Sequence, residues 1–133
     1  MKVDIDFPEV EQIGICAIPE ETGEQTMWKV HIINLLGETI KNVLVAAKGY
    51  GMSESGLVNT SELRHYFDEI APKSERPIEL IPDDLTGLNN QYWVSFYIGE
   101  KIYDKKFIFL PDTLIDSNLT RVPVLEKSGV FIL

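Results

Sequence analysis

The chain has 133 residues, 44% hydrophobic and 25% charged, with 12 basic against 21 acidic side chains and a formal charge of −9. That length suits one domain burying roughly 65 to 70% of the surface its unfolded form exposes, and the lone Cys16 excludes an internal disulfide. The charge opposes nucleic acid as a partner, and no apolar run approaches the ~20 residues that span a bilayer.

Residues 1–11 are acidic, broken by Pro8, and read as an arm. Met1-Lys-Val-Asp-Ile-Asp6 carries acids where an export signal needs a basic start and an apolar run, so a cytoplasmic location is expected. Without an export signal, the glycosylation patterns Asn59-Thr-Ser61 and Asn118-Leu-Thr120 carry no weight. Gln12-Ile-Gly-Ile-Cys-Ala-Ile18 is a short apolar strand expected to close at Pro19. A solvated turn at 20–25 leads to Thr26-Met-Trp-Lys-Val-His-Ile-Ile-Asn34, whose alternation puts Trp28, Val30 and Ile32 inside and Lys29 and His31 outside.

After a turn at 35–38, Thr39-Ile-Lys-Asn-Val-Leu-Val-Ala-Ala-Lys48 is apolar on both faces, as a central strand should be. Gly49-Tyr-Gly-Met-Ser-Glu-Ser-Gly56 reads as a flexible loop, and 57–67 as one strand, with a helical turn over Ser61-Glu-Leu-Arg-His65 capped by Ser61 as the alternative. Residues 77–82 form a short strand bounded by Pro77 and Pro82, hence at an edge, and 83–90 a one-turn helix or corner. Residues 91–110 form a β-hairpin around Gly99-Glu100, with Tyr92, Val94, Phe96 and Ile98 facing the core. Lys105-Lys106 interrupts the return strand, which predicts a bulge that switches the face used by Tyr103, Phe107 and Phe109. In the tail, 111–133, the apolar Gly129-Val-Phe-Ile-Leu133 adds a strand either to the domain's own sheet or to a second copy.

About seven short strands with regular turn signals and no long helix predict an all-β, antiparallel immunoglobulin-like sandwich spanning 1–133 as a single domain. Tyr92, two residues before Val94, stands where that fold carries the tyrosine of its E to F corner, with Val94 at the position of the second cysteine.

Trp28-Lys-Val-His-Ile-Ile-Asn34, followed by Asn42-Val-Leu-Val45, resembles the opening of many bacterial immunoglobulin-like domains. Lys48-Gly-Tyr-Gly51, Leu63-Arg-His-Tyr-Phe67 with Ile70-Ala-Pro-Lys-Ser74, Asn90-Gln-Tyr-Trp-Val94 and Tyr103-Asp-Lys-Lys-Phe-Ile-Phe109 are similar to a family of short uncharacterised bacterial proteins. Some of those proteins carry the label phenylalanyl-tRNA synthetase alpha chain. A synthetase catalytic domain is far longer and not all-β, and acidity opposes tRNA, so the resemblance implies a fold and no activity.

Among candidate sites, His65 with Tyr66, Asp68 and Glu69 is the nearest to a reactive cluster, but it lacks the ligand set of a metal site and His31 lies on another strand. Cys16 sits among apolar neighbours that suppress its thiolate. Gly49, Gly51 and Gly56 lack the spacing of a phosphate loop. The acids Asp4, Asp6, Glu20, Glu21, Asp83 and Asp84 match no calcium loop and read as solvated turns. No catalytic residue, metal or cofactor is therefore assigned. Trp93 and Tyr97, with Tyr50, are expected on the outer face of a sheet, where rings of that size are covered either by the chain's own arm or tail or by a partner. The sequence thus points to a non-enzymatic protein-binding or self-associating assembly module of unidentified partner. The alternatives are a small-ligand or hydrolytic enzyme using His65 and nearby acids, and an accessory domain of a translation enzyme.

Overall fold

The computed structural model describes residues 11–133. They form ten strands in two antiparallel sheets, more than the seven expected because one of the predicted segments divides and the tail contributes a hairpin. The strands are β1 (Ile13–Thr22), β2 (Gln25–Asn34), β3 (Ile40–Ser53), β4 (Gly56–Asn59), β5 (Leu63–Ile70), β6 (Ser74–Pro82), β7 (Asn89–Ile98), β8 (Lys101–Phe109), β9 (Thr120–Val122) and β10 (Lys127–Ile132). One sheet has the order β6-β2-β1-β10-β9. The other runs β4-β3-β7-β8, with β5 pairing the same edge of β3 as β4 does, further along.

Period-two patterning sets the core. Ile13, Ile15, Ala17, Trp28, Val30 and Ile32 from the first sheet meet Val43, Val45, Tyr92, Val94, Phe96, Phe107 and Phe109 from the second in one buried cluster. Removing a large aliphatic or aromatic side chain of this kind from water stabilises the fold by ~1.5–3 kcal/mol, which is why alternation dictates the pleat. Tyr92 and Phe109 pack edge to face at 6.1 Å between centroids, and Phe96 stacks on Tyr103 at 5.6 Å.

Several expectations are corrected by long-range pairing. β1 does not close at Pro19 but runs to Thr22, because β10 pairs only Ile15 to Ala17 and the proline falls where that edge of β1 has no neighbour in the sheet. His31 is not outside: it is buried, its Nδ1 2.7 Å from Glu75 Oε1. Cys16, Ile18, Ile33 and Val122 form a second buried cluster on that outer face, packed by Leu35, Val124, Leu125 and Phe131. The stretch 49–56 is not a loop but the end of β3 and its hairpin turn into β4, with Gly51 and Gly56 at φ values of 153° and 112°. The segment 57–67 splits into β4 and β5. β7 and β8 stay in unbroken register from Asn90↔Phe109 to Ile98↔Lys101, so there is no bulge at Lys105-Lys106. Lys105 simply occupies an inward position in the row of Tyr103, Phe107 and Phe109.

β6 is an edge strand, as its prolines require. A short 3-10 turn, Asp83–Leu85, carries it into β7. The C-terminal strand pairs with β1 of its own chain. Gly129 permits this: a Cβ there would lie 2.5 Å from Ile18 Cδ1 and 2.8 Å from the Ala17 carbonyl oxygen. Buried Asn34 ties the corners together, its amide donating to the carbonyls of Glu38, Ile70 and Ala71 while its oxygen accepts from Leu36 N–H. The arm predicted at 1–11 lies almost wholly outside the described residues.

Candidate functional site

Two places in the fold concentrate groups able to recognise something. The first is the seam where the edge strands β5 and β6 face each other across the sandwich. β6 pairs Glu79 with Val30 of β2, an inward-facing position, so an acidic side chain on an edge strand points between the sheets. Two inward residues of the opposite sheet meet it. Nε2 of His65 lies 3.0 Å from Glu79 Oε1, and the Tyr92 hydroxyl donates to Glu79 Oε2 at 2.9 Å. Each carboxylate oxygen is thereby held by one partner and its orientation is fixed. Burial, reinforced by the Glu79 charge, holds the Tyr92 phenol protonated far above its ordinary range.

Beside Glu79 opens a cleft of about 270 Å³, roofed by the connection from β4 to β5 and floored by Ala47, Ile81 and Leu85. The roof is pinned to β3: Gly49 N–H donates to Thr60 Oγ1 at 2.7 Å, and Thr60 N–H donates to the Gly49 carbonyl at 2.8 Å. Asn90 lines the cleft as well, with its amide nitrogen committed to the carbonyls of Leu85 and Leu88.

The second place is the outer face of the β5-β3-β7-β8 sheet. Register puts Trp93 beside Ala46 and Lys106, Tyr97 beside Lys41 and Ile102, and Tyr66 beside Leu44. Tyr50 belongs to the same face and its hydroxyl lies 3.4 Å from Gln91 Oε1. Trp93, on a central strand, is 47% exposed, and Tyr66 and Ile102 are more so. Lys106 Nζ sits 5.4 Å from the centre of the Trp93 ring and Lys48 Nζ 5.9 Å from that of Tyr50, at cation–π distances. The three aromatic residues singled out in the sequence therefore share one face.

The cluster of His65, Tyr66, Asp68 and Glu69 does not converge. Strand alternation turns His65 inward opposite Val45, while Tyr66 is on the outer face donating to Asn42 Oδ1 at 2.7 Å, and Asp68 and Glu69 are exposed. Among the described residues no three His, Cys, Asp or Glu side chains gather in a group that could hold a metal ion. Cys16 is buried and its thiol is pushed up to about 12 by that burial, so it is no nucleophile at neutral pH. Glu79 escaped the sequence reading because its partners lie in other strands, and Asn90 because its side chain is engaged by the carbonyls of the turn just before it. A signal existed all the same: Glu79 is the one acid inside Ile78-Glu-Leu-Ile81, an otherwise apolar run between two prolines. Comparison with protein-family models, with curated proteins and with solved structures finds no match.

Proposed function

We propose that this chain is a non-enzymatic protein-binding module of the immunoglobulin-like type that assembles with a second copy through the outer face of β5-β3-β7-β8. The strand order supports the fold assignment. β1-β2-β6 in one layer and β5-β3-β7-β8 in the other follow the same order as the A-B-E and C′-C-F-G runs of an immunoglobulin-like Greek key, with β9 and β10 appended beside β1. Tyr92 sits at the corner position of that scheme, although its hydroxyl engages the Glu79 carboxylate instead of a nearby backbone group.

The observation that carries the functional reading is Trp93, half-exposed on a central strand of one sheet, whereas the outer face of the other sheet is covered by the chain's own C-terminal hairpin. Aromatic rings in the middle of a sheet supply the fully desolvated anchors of protein interfaces. Charge favours a second copy as occupant. The chain as a whole is strongly acidic, but on this face Lys41, Lys48 and Lys106 offset Asp68, Glu69 and Asp104, and Arg64 is paired with Glu62. Two such molecules meet with little repulsion through a face whose own charges balance. Light scattering across a concentration series tests this: the parent chain should reach dimer mass, and Trp93→Ala should remain monomeric with an unchanged circular dichroism spectrum. A parent chain that stays monomeric at high concentration would overturn the proposal.

A further inference from the structure

We propose that the cleft beside Glu79 is a binding site for a small organic ammonium ion with a compact apolar body, independent of the outer aromatic face. Ala47, Leu63, Ile81 and Leu85 give the cleft apolar walls. Its volume of about 270 Å³ leaves room for a small organic ligand.

The inward polar groups beside the apolar walls are acceptors, the Thr60 hydroxyl of the roof donating its proton to the Ser61 carbonyl and the Ser61 hydroxyl lying at the exposed rim. Glu79 presents a carboxylate whose two oxygens are held in place by His65 and Tyr92, and each of them retains a lone pair for a further donor. Asn90, with its amide nitrogen already donating twice, can offer a ligand only its carbonyl oxygen. Lys48 also borders the cleft, but its ammonium is turned to the outer face over Tyr50, so the charge felt inside is that of Glu79. A ligand that fills this space must therefore bring hydrogen-bond donors and positive charge at one end and carbon at the other. A fixed acceptor in an apolar, partly desolvated wall needs no reorganisation to receive it. The strongly negative chain adds long-range attraction for a cation.

Amide chemical shifts followed by NMR during titration with benzylammonium chloride, at constant ionic strength and neutral pH, test the assignment. Benzyl alcohol and benzoate provide neutral and anionic comparisons of the same body. Benzylammonium should give saturable shifts at Gly49, Thr60, Leu63 and Asn90, and benzyl alcohol should bind at least about tenfold more weakly, the loss of one charge-assisted hydrogen bond. Benzoate should leave those amides unmoved. Glu79→Gln keeps the shape of the side chain and should reduce benzylammonium to the affinity of the alcohol. Leu63→Trp, at an exposed rim position that plays no part in the Glu79 network, should obstruct the mouth and abolish the shifts, which keeps the test decisive if Glu79→Gln fails to fold. No saturable shift at these amides, equal affinity for benzoate, or benzylammonium binding unchanged in either variant would overturn the proposal.

Discussion

At Glu79 a single carboxylate joins the two layers, with β6 contributing the acid and β5 and β7 the groups that hold it. Removing the Tyr92 hydroxyl leaves the carboxylate with one fewer partner in a half-buried seam, so Tyr92→Phe should lower the unfolding free energy by about 1.5 to 3 kcal/mol in urea titrations. The same residue gives the stability a pH dependence of known sign. The folded state holds the Tyr92 proton far above the ordinary phenol range while the unfolded chain releases it near pH ~10. The stabilisation is therefore complete below about pH 10 and falls as pH rises beyond it. Tyr92→Phe should flatten that decline, and an equally steep loss in the variant would remove Tyr92 as its source. Sequence alone revealed that Tyr92 faces inward, because alternation is a local property. It could not reveal what the hydroxyl would meet, because Glu79 arrives from the other sheet.

Among the strands, those read best were those whose faces see unlike surroundings. β7 presses one face on the main core and leaves Trp93 half-exposed on the other, and its alternation follows. The inference failed where a distant segment changed what the second face sees. His31 read as a solvent residue until β9 and β10 are laid beside β1, and 49–56 read as a loop because glycine composition cannot distinguish a loop from a twisted hairpin end. Lys105 is a different kind of miss. A charge among aromatics suggested a bulge, but β8 is an edge strand, and an inward-pointing charge is one of the devices that keep such an edge from pairing with another chain. Burial lowers its ammonium below the ordinary lysine range, with the charge of Glu11 acting in the opposite sense, and its Nζ lies 3.4 Å from the Ile13 carbonyl oxygen. Lys105→Val should leave the thermal midpoint no lower while producing scattering that grows with concentration; a variant that stays clear would show that the charge does not guard this edge. β10 makes an opposite demand, for absence of bulk. Gly129→Ala forces a methyl group against Ile18 and the Ala17 carbonyl and should cost about 1 to 3 kcal/mol by chemical denaturation. A neutral result would show that β10 can shift outward freely.

For the molecule as a whole, shape and charge divide the surface unevenly. A chain of net charge −9 carries a charge-balanced, aromatic surface on one sheet face, so its excess acid lies elsewhere. If two copies join there, the acidic remainder repels across the pair, and salt relieves that repulsion. Raising ionic strength from about 0.01 M to about 0.5 M shortens the screening length well below molecular dimensions, so sedimentation should show the dimer tightening with salt. Weakening instead would mean that cross-interface ion pairs hold the copies together. The pairing of β1 with β10 has a kinetic counterpart. Ile15 to Ala17 must wait for Val130 to Ile132 before their sheet is complete, so a chain emerging from the ribosome displays an unclaimed apolar ladder until β10 has emerged as well. Contacts so distant in sequence also delay completion of this sheet in refolding, and in that interval encounters between nascent chains would favour exchange of β10.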